Sequence, residues 1–322
     1  MPKRRRTEDT NDGPTVGESP KPCEDVWFDD GNIVLQAENM QFKVHKSVLG
    51  KHSVVFSDLF EMPHVNDEPT VDGCPIVELH DSAEDIKHMA LRLYGDKDHT
   101  GGDALPMAVV AAMVRMGRKY DIEHIKNEGL NHLKKTFPAE LSSWDHNYEN
   151  APPSIKCKPG QGDLEIALEA IKLAHECDVK TILPACYLTV CYYRTGTSAH
   201  VIPTEVEGQC SFGAADLLEV RNQAIYGWIS ELGEKAQCSN QDICLDMGRY
   251  LMKKIWRYTR LSSTFDRWTN VARIYHAYIG QLCTFCSRTA EGSHEENRRD
   301  VWDELPSYFG LPNWGSLKDF EN

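Results

Sequence analysis

The side chains with the most chemical capacity in this sequence fall in three places. His45 and Lys46 stand side by side in FKVHKSVLGKHSVVFSDLF, where an alternating apolar pattern gives way to a helical one. An imidazole beside an ammonium has the types of a general base and an electrophilic stabiliser. Packing is the better reading: a His at a strand end, next to a Lys. Cys283 and Cys286 form a C-x-x-C pair, the spacing of half a structural zinc site. The rest of the site is thin: His276 lies behind the pair, His294 ahead of it, and Cys238 and Cys244 farther upstream. Two thiols at helical spacing also pack on one apolar face, so the expectation is no metal and no cofactor. No βαβ pattern surrounds the pair, which argues against a thioredoxin-like redox role. DKDHTGGD, Asp96 to Asp103, has the Asp96-x-Asp98 spacing and the Gly101 of a calcium loop. Met107 stands where the closing bidentate Glu belongs, so a solvated loop is expected there.

Other chemistry finds no anchor. There is no G-x-G-x-x-G, phosphate-binding Gly-rich loop, H-E-x-x-H, G-x-S-x-G or two-Cys two-His finger. KPGQGD has too few glycines to cradle a phosphate. With no convergent acid, base and nucleophile, no catalytic residue and no enzymatic activity are expected.

The elements that carry these residues follow from periodicity. NIVLQAE puts Ile33, Leu35 and Ala37 on one face, and MQFKVHK does the same with Phe42 and Val44. The two predict a hairpin turning near Glu38-Asn39, with order beginning near Asp25. From Ser47 the period becomes helical, with Val48, Val55 and Leu59 on one face and Leu49, Phe56 and Phe60 beside them. The interruption at Gly50 to Ser53 predicts two short helices, the second capped by Ser53. IVEL reads as a short strand, and AEDIKHMALRLYG as a helix with Ile86, Met89 and Leu93 that stops at Gly95. Pro106 is expected to open a helix through Val109, Val110, Met113 and Tyr120. A further helix carries Ile122, Ile125, Leu130, Leu133 and Phe137 and ends at Pro138.

Residues 143–162 read as a linker, with Trp144 docking on something. Residues 163–322 read as helical, without a repeat of solenoid or propeller length. Their aromatics, Trp228, Tyr250, Trp256, Trp268, Tyr275 and Tyr278, are spaced like helix cores. Residues 1–22 are polar and aperiodic, a disordered tail. Within it Lys3, Arg4, Arg5 and Arg6 form a basic block that serves either as solvated charge or as a nuclear-import signal.

The totals restrict the class. With 322 residues, 41% hydrophobic and 26% charged, the chain is a globular protein of one large or two ordinary domains. A formal charge of −14 argues against a general nucleic-acid binder. No apolar run approaches the roughly 20 residues that span a bilayer. MPKRRRTEDT has no apolar stretch behind its charges, so secretion is not expected. The 11 cysteines then read as free thiols of a protein in the nucleus or cytoplasm.

Taken together, DVWF...NIVLQAENMQFKVHKSVLGKHSVVFSDLF resembles the opening of a BTB (POZ) domain. The matching positions are Asp25, Phe42, His45, Lys46, Leu49, Ser53 and Phe56. GRKYDIEHIKNEGLNHL resembles the family's later helix pair, with Lys119, Tyr120 and Asp121 at the join. FPAELSSW, ILPACY, the Cys283/Cys286 pair and WDELPSYFGLPNW are similar to a group of fungal BTB-containing proteins. The resemblance implies an α+β fold, with a BTB domain over residues 23–142 and a helical C-terminal domain without known chemistry. It also implies that Asp25 pairs with Lys46 in a charged pocket, an arrangement in which each buried charge needs the other. The expected function is a protein-binding adaptor that forms a homodimer or pairs with a related BTB chain, with no direct nucleic-acid or membrane contact. A cullin-bound substrate adaptor of a ubiquitin ligase and a nuclear, transcription-linked scaffold are the alternatives.

Overall fold

The computed structural model describes residues 19–62, 69–95, 104–149, 153–157, 161–194, 202–256 and 261–321. The basic block Lys3 to Arg6 and the acidic loop Asp96 to Asp103 lie outside the described residues. The chain divides into two compact units, Met1–Thr100 with Lys119–Ile122, and Gly101–Arg118 with Glu123–Asn322.

In the first unit β1 (Lys21–Trp27) precedes β2 (Ile33–Ala37) and β3 (Met40–Val44). Two helices follow, α1 (Lys46–His52) and α2 (Val54–Glu61), then β4 (Thr70–Val71), β5 (Cys74–Leu79) and α3 (Ala83–Leu93). The strands form a five-stranded mixed sheet in the order β1-β3-β2-β5-β4. β2 and β3 pair antiparallel as the expected hairpin, turning through Glu38 in the left-handed region at φ 51°. β2 also pairs parallel with β5, and β1 pairs parallel with β3. This central placement explains the unbroken apolar run at Ile33, Val34 and Leu35, all at 0% exposure: a strand covered on both faces has no polar side. β1 starts at Lys21, ahead of the expected onset at Asp25. Its parallel partner is distant in sequence, and Cys23 and Val26 alone point inward.

Two short helices form as expected, but α1 runs on through Gly50 to His52 and the break is Ser53 alone, whose hydroxyl accepts from the Phe56 amide at 3.1 Å. The inward face is not the expected one. Leu49 and Phe56 are fully buried, whereas Val55 is 41% exposed and Val48 and Leu59 are half-buried. The extended Ser53 resets the helical phase, so a stripe drawn through both helices cannot hold.

The second unit opens with β6 (Leu105–Pro106), α4 (Met107–Lys119, all but its last residue), α5 (Glu123–Thr136), α6 (Leu141–Glu149) and β7 (Ile155–Lys156). It continues with α7 (Asp163–Cys177), α8 (Leu183–Arg194), α9 (Thr204–Val220) and α10 (Gln241–Ile255). It closes with α11 (Trp268–Ile274), α12 (His276–Ile279), α13 (Thr284–Asp303) and α14 (Leu305–Tyr308). Pro106 precedes α4 instead of opening it, as the last residue of a two-residue parallel ladder with β7. α4 and α5 approach so closely at Gly117 that an added Cβ would lie 2.6 Å from the Lys126 amide nitrogen.

The segment expected to be a linker carries α6 and β7. Trp144 packs against Trp302 at 5.4 Å between ring centroids, and Asp145 accepts from Nη2 of Arg298 at 2.6 and 2.7 Å and from Nη1 at 3.1 Å. Arg298 is 1% exposed, and a charge so deep is tolerated only when paired. Among the expected core aromatics, Trp228 and Trp268 are buried and meet edge to face at 5.3 Å. Tyr275 and Tyr278 are half-buried, while Tyr250 and Trp256 are 51% and 49% exposed. The chain's final residues are tied down: Asp319 accepts from Thr181 and pairs with Lys134 of α5 at 2.8 Å. Phe320 lies beneath the cations of Arg118 and Lys126.

The protein is therefore α+β, a small mixed sheet with helices followed by a mostly helical region. Among the described residues no helix is long and apolar enough to cross a membrane.

Candidate functional site

Ser53, Phe56 and Tyr120 converge in the first unit although the chain separates them widely. The Ser53 hydroxyl, capping α2, donates to the Tyr120 carbonyl at 2.5 Å. The Phe56 and Tyr120 rings stack at 4.4 Å with an interplanar angle of 10°. The Tyr120 hydroxyl donates to Asp81 at 2.5 Å, and Lys119 pairs with the other oxygen of that carboxylate at 2.7 Å. Asp81 has 7% of its side chain exposed, so these two donors replace the water it has lost. Burial, then the hydrogen bond to Asp81, raises the Tyr120 phenol well above its ordinary value. Asp121 follows in the left-handed region at φ 52°, the bend that ends α4 and lets α5 begin. Phe42 and Leu49 are fully buried beneath this arrangement.

Asp81 was not among the residues singled out from the sequence. Its only local signal is its place before Ser82, which caps α3 by accepting from the Asp85 amide. Asn32 was missed as well: its side-chain oxygen accepts from the Lys46 amide at 2.8 Å and caps α1 from outside the helix.

His45 sits at the N-cap of α1 without capping it through its own side chain. The Tyr94 hydroxyl accepts from the His45 amide at 2.8 Å and lies 2.9 Å from Nδ1. In the neutral imidazole that hydroxyl donates to Nδ1, which leaves Nε2–H for Asp30 at 3.2 Å. Phe28 stacks on Tyr94 at 4.2 Å and completes an aromatic cluster about the ring. Every polar atom of the imidazole is thus used in holding the strand-to-helix junction.

The expected pairing of Asp25 with Lys46 does not form. Asp25 binds Lys87 of α3 at 2.6 Å, because its outward position on β1 faces that helix. The Lys46 ammonium instead lies 5.7 Å from the centre of the Phe60 ring. Asp25 is 60% exposed on its side chain, so this is a surface ion pair and not a buried charged pocket.

In the second unit, the pair at Cys283 and Cys286 is not simple packing on one helix face. Among the described residues, Cys238, Cys244, Cys283 and Cys286 bring their sulfurs within 4.8 Å of one another. Cys283 is the N-cap of α13 and accepts from the Cys286 amide at 3.4 Å. That bond, with further bonds from Ser239, draws the Cys283 thiol down to about 6. Burial raises Cys244, and raises Cys286 to about 12. The two histidines flanking the pair in sequence are elsewhere occupied: fully buried His294 donates to the Asp266 carbonyl at 2.9 Å, and His276 is exposed.

A family model described as BTB/POZ domain matches residues 29–136. The match contains the Ser53–Tyr120–Asp81 arrangement, the His45 junction, and α4 and α5. No curated protein and no solved structure matches the chain. BTB/POZ domains are interaction modules, so protein binding and self-association in general are what this region supports.

Proposed function

We propose that the chain is a non-enzymatic adaptor that self-associates through its BTB/POZ domain and engages a second protein through its helical part. One observation carries the reading. Within the matched region, α2 turns Val54 and Val55 outward at 62% and 41% exposure, and Met62 follows at 62%. Its other face is fixed by Ser53, Phe56 and Tyr120. A rigid helix with an outward apolar strip suits a self-complementary contact, for which a twofold dimer is the usual outcome.

Size-exclusion chromatography with light scattering at micromolar concentration tests this. The expected result is a dimer that becomes a monomer when Val54 and Val55 are both replaced by Asp, with unchanged circular dichroism. A strictly monomeric parent chain would sink the proposal. Affinity purification then separates the routes by which such an adaptor acts. Recovery of a cullin favours presentation of substrates for ubiquitination. Nuclear enrichment without a cullin, lost on replacing Lys3 to Arg6, favours a nuclear scaffold.

A further inference from the structure

We propose that Cys238, Cys244, Cys283 and Cys286 bind one zinc ion in a closed site of four thiolates. Zinc–sulfur bonds of about 2.3 Å in a tetrahedron place the sulfurs about 3.8 Å apart. Cys238 and Cys283 stand at 3.7 Å, and all four sulfurs fit within 4.8 Å. That is far beyond the roughly 2.05 Å of a disulfide, and all four thiols are free.

The surroundings suit thiolates better than an apolar core does. The Cys283 amide donates to Cys244 at 3.4 Å, the Cys286 amide to Cys283 at 3.4 Å, and the Gly233 backbone hydrogen-bonds Cys286. Gly233 holds φ 82°, and a Cβ there would lie 2.6 Å from Leu245, so glycine alone lets that backbone reach the cluster. Cys244 lies in the first turns of α10 and Cys283 caps α13, so two helix N-termini face the four sulfurs. Their partial positive charge offsets negative charge at that point.

The ligand set chooses the metal. Four sulfurs with no carboxylate select zinc over calcium or magnesium, whose ligands are oxygens. Four protein ligands leave no open position for substrate, so the role is structural. On binding, the four thiols give up four protons, and the divalent cation with four thiolates carries a net charge of −2. The ion would join segments 45 residues apart in the chain, the start of α10 with the stretch before it and the start of α13.

The test is metal analysis and native mass spectrometry of the full chain, produced with zinc present and purified under reducing conditions. One zinc per chain is expected. Cys157→Ser, which alters an exposed thiol outside the cluster, should keep it, and C283S/C286S should lose it. Because that double variant can misfold, the parent chain is also stripped and reloaded with cobalt, which should give the absorption of a tetrahedral cobalt–thiolate centre. A parent chain that stays metal-free, with four reactive thiols or with the mass of two disulfides in the cluster, overturns the proposal.

Discussion

Replacing Tyr120 by Phe removes one oxygen and leaves the ring stacked on Phe56. The lost bond is the 2.5 Å donation to Asp81, a carboxylate with 7% of its side chain exposed. A hydrogen bond to a charged acceptor contributes about 1.5–3 kcal/mol. Lys119 remains at 2.7 Å but is 48% exposed and cannot replace a buried donor. Hydrogen exchange is the suitable assay, because it reads the peptides of α1, α2 and the Lys119–Ile122 bend without contributions from the second unit. With a tenfold change for every 1.4 kcal/mol, exchange there should quicken about 10- to 150-fold. Asp81→Asn should act similarly, and the double variant should fall short of the sum by about 1 kcal/mol or more, since the two share one bond. The pH dependence supplies a second check. Folding favours the neutral Tyr120 phenol, so its contribution is full below the ordinary phenol value of about 10 and lost as pH rises through the higher folded value. The variant should lose that alkaline component. An exchange change under about twofold in Tyr120→Phe, with Tyr120→Ala still strongly destabilised, would refute the reasoning: the hub would then be held by ring packing and the Ser53 bond to the backbone, without the phenol.

Three further outcomes follow. Asp25→Asn should cost under about 1 kcal/mol in urea denaturation, as exposed pairs do, with coupling to Lys87→Met and none to Lys46→Met. His294 is buried and its pKa is lowered, chiefly by burial. Its contribution should be present above the ordinary value of about 6.5 and lost as pH falls through the lower folded value, an acid loss seen in tryptophan fluorescence of the second unit and abolished by H294Q. Gly117→Ala should destabilise by about 1–3 kcal/mol in thermal melts, because the obstacle at Lys126 is backbone and no side chain can rotate away.

Local signals were the legible ones. The hairpin, the Ser53 cap and the stop of α3 at Gly95 each depend on residues within a few positions, where period and capping chemistry act. Phe42, Leu49 and Phe56 were readable as core for the same reason. What stayed hidden depends on partners that no local pattern names. β1 needed a parallel neighbour, and Asp25 was expected to pair with Lys46 because nothing local in the sequence places Lys87 of α3 beside it. Asp81 drew no notice because a carboxylate before a helix is ordinary until Tyr120 reaches it. α6 escaped because LSSWDHNYE places few apolar residues, Leu141 and Trp144 chief among them, on any helical stripe. The cysteine cluster was half visible: the C-x-x-C spacing is local, but Cys238, ahead of α10, and Cys244, within it, join the pair only through the tertiary fold.

The anchoring of Asp319 and Phe320 also sets an order of events during synthesis. Asp319 follows its partner Thr181 by 138 residues, and Lys134 and Lys126 emerge earlier still. At 5–20 residues per second, the ribosome needs roughly 7–28 s to bridge that interval. For longer than that time α4 and α5, the closing helices of the BTB/POZ match, exist without the residues that finish their surface. Nascent chains halted before Asp319 should therefore be protease-sensitive at α5, and a chaperone that holds this chain would find its opening there.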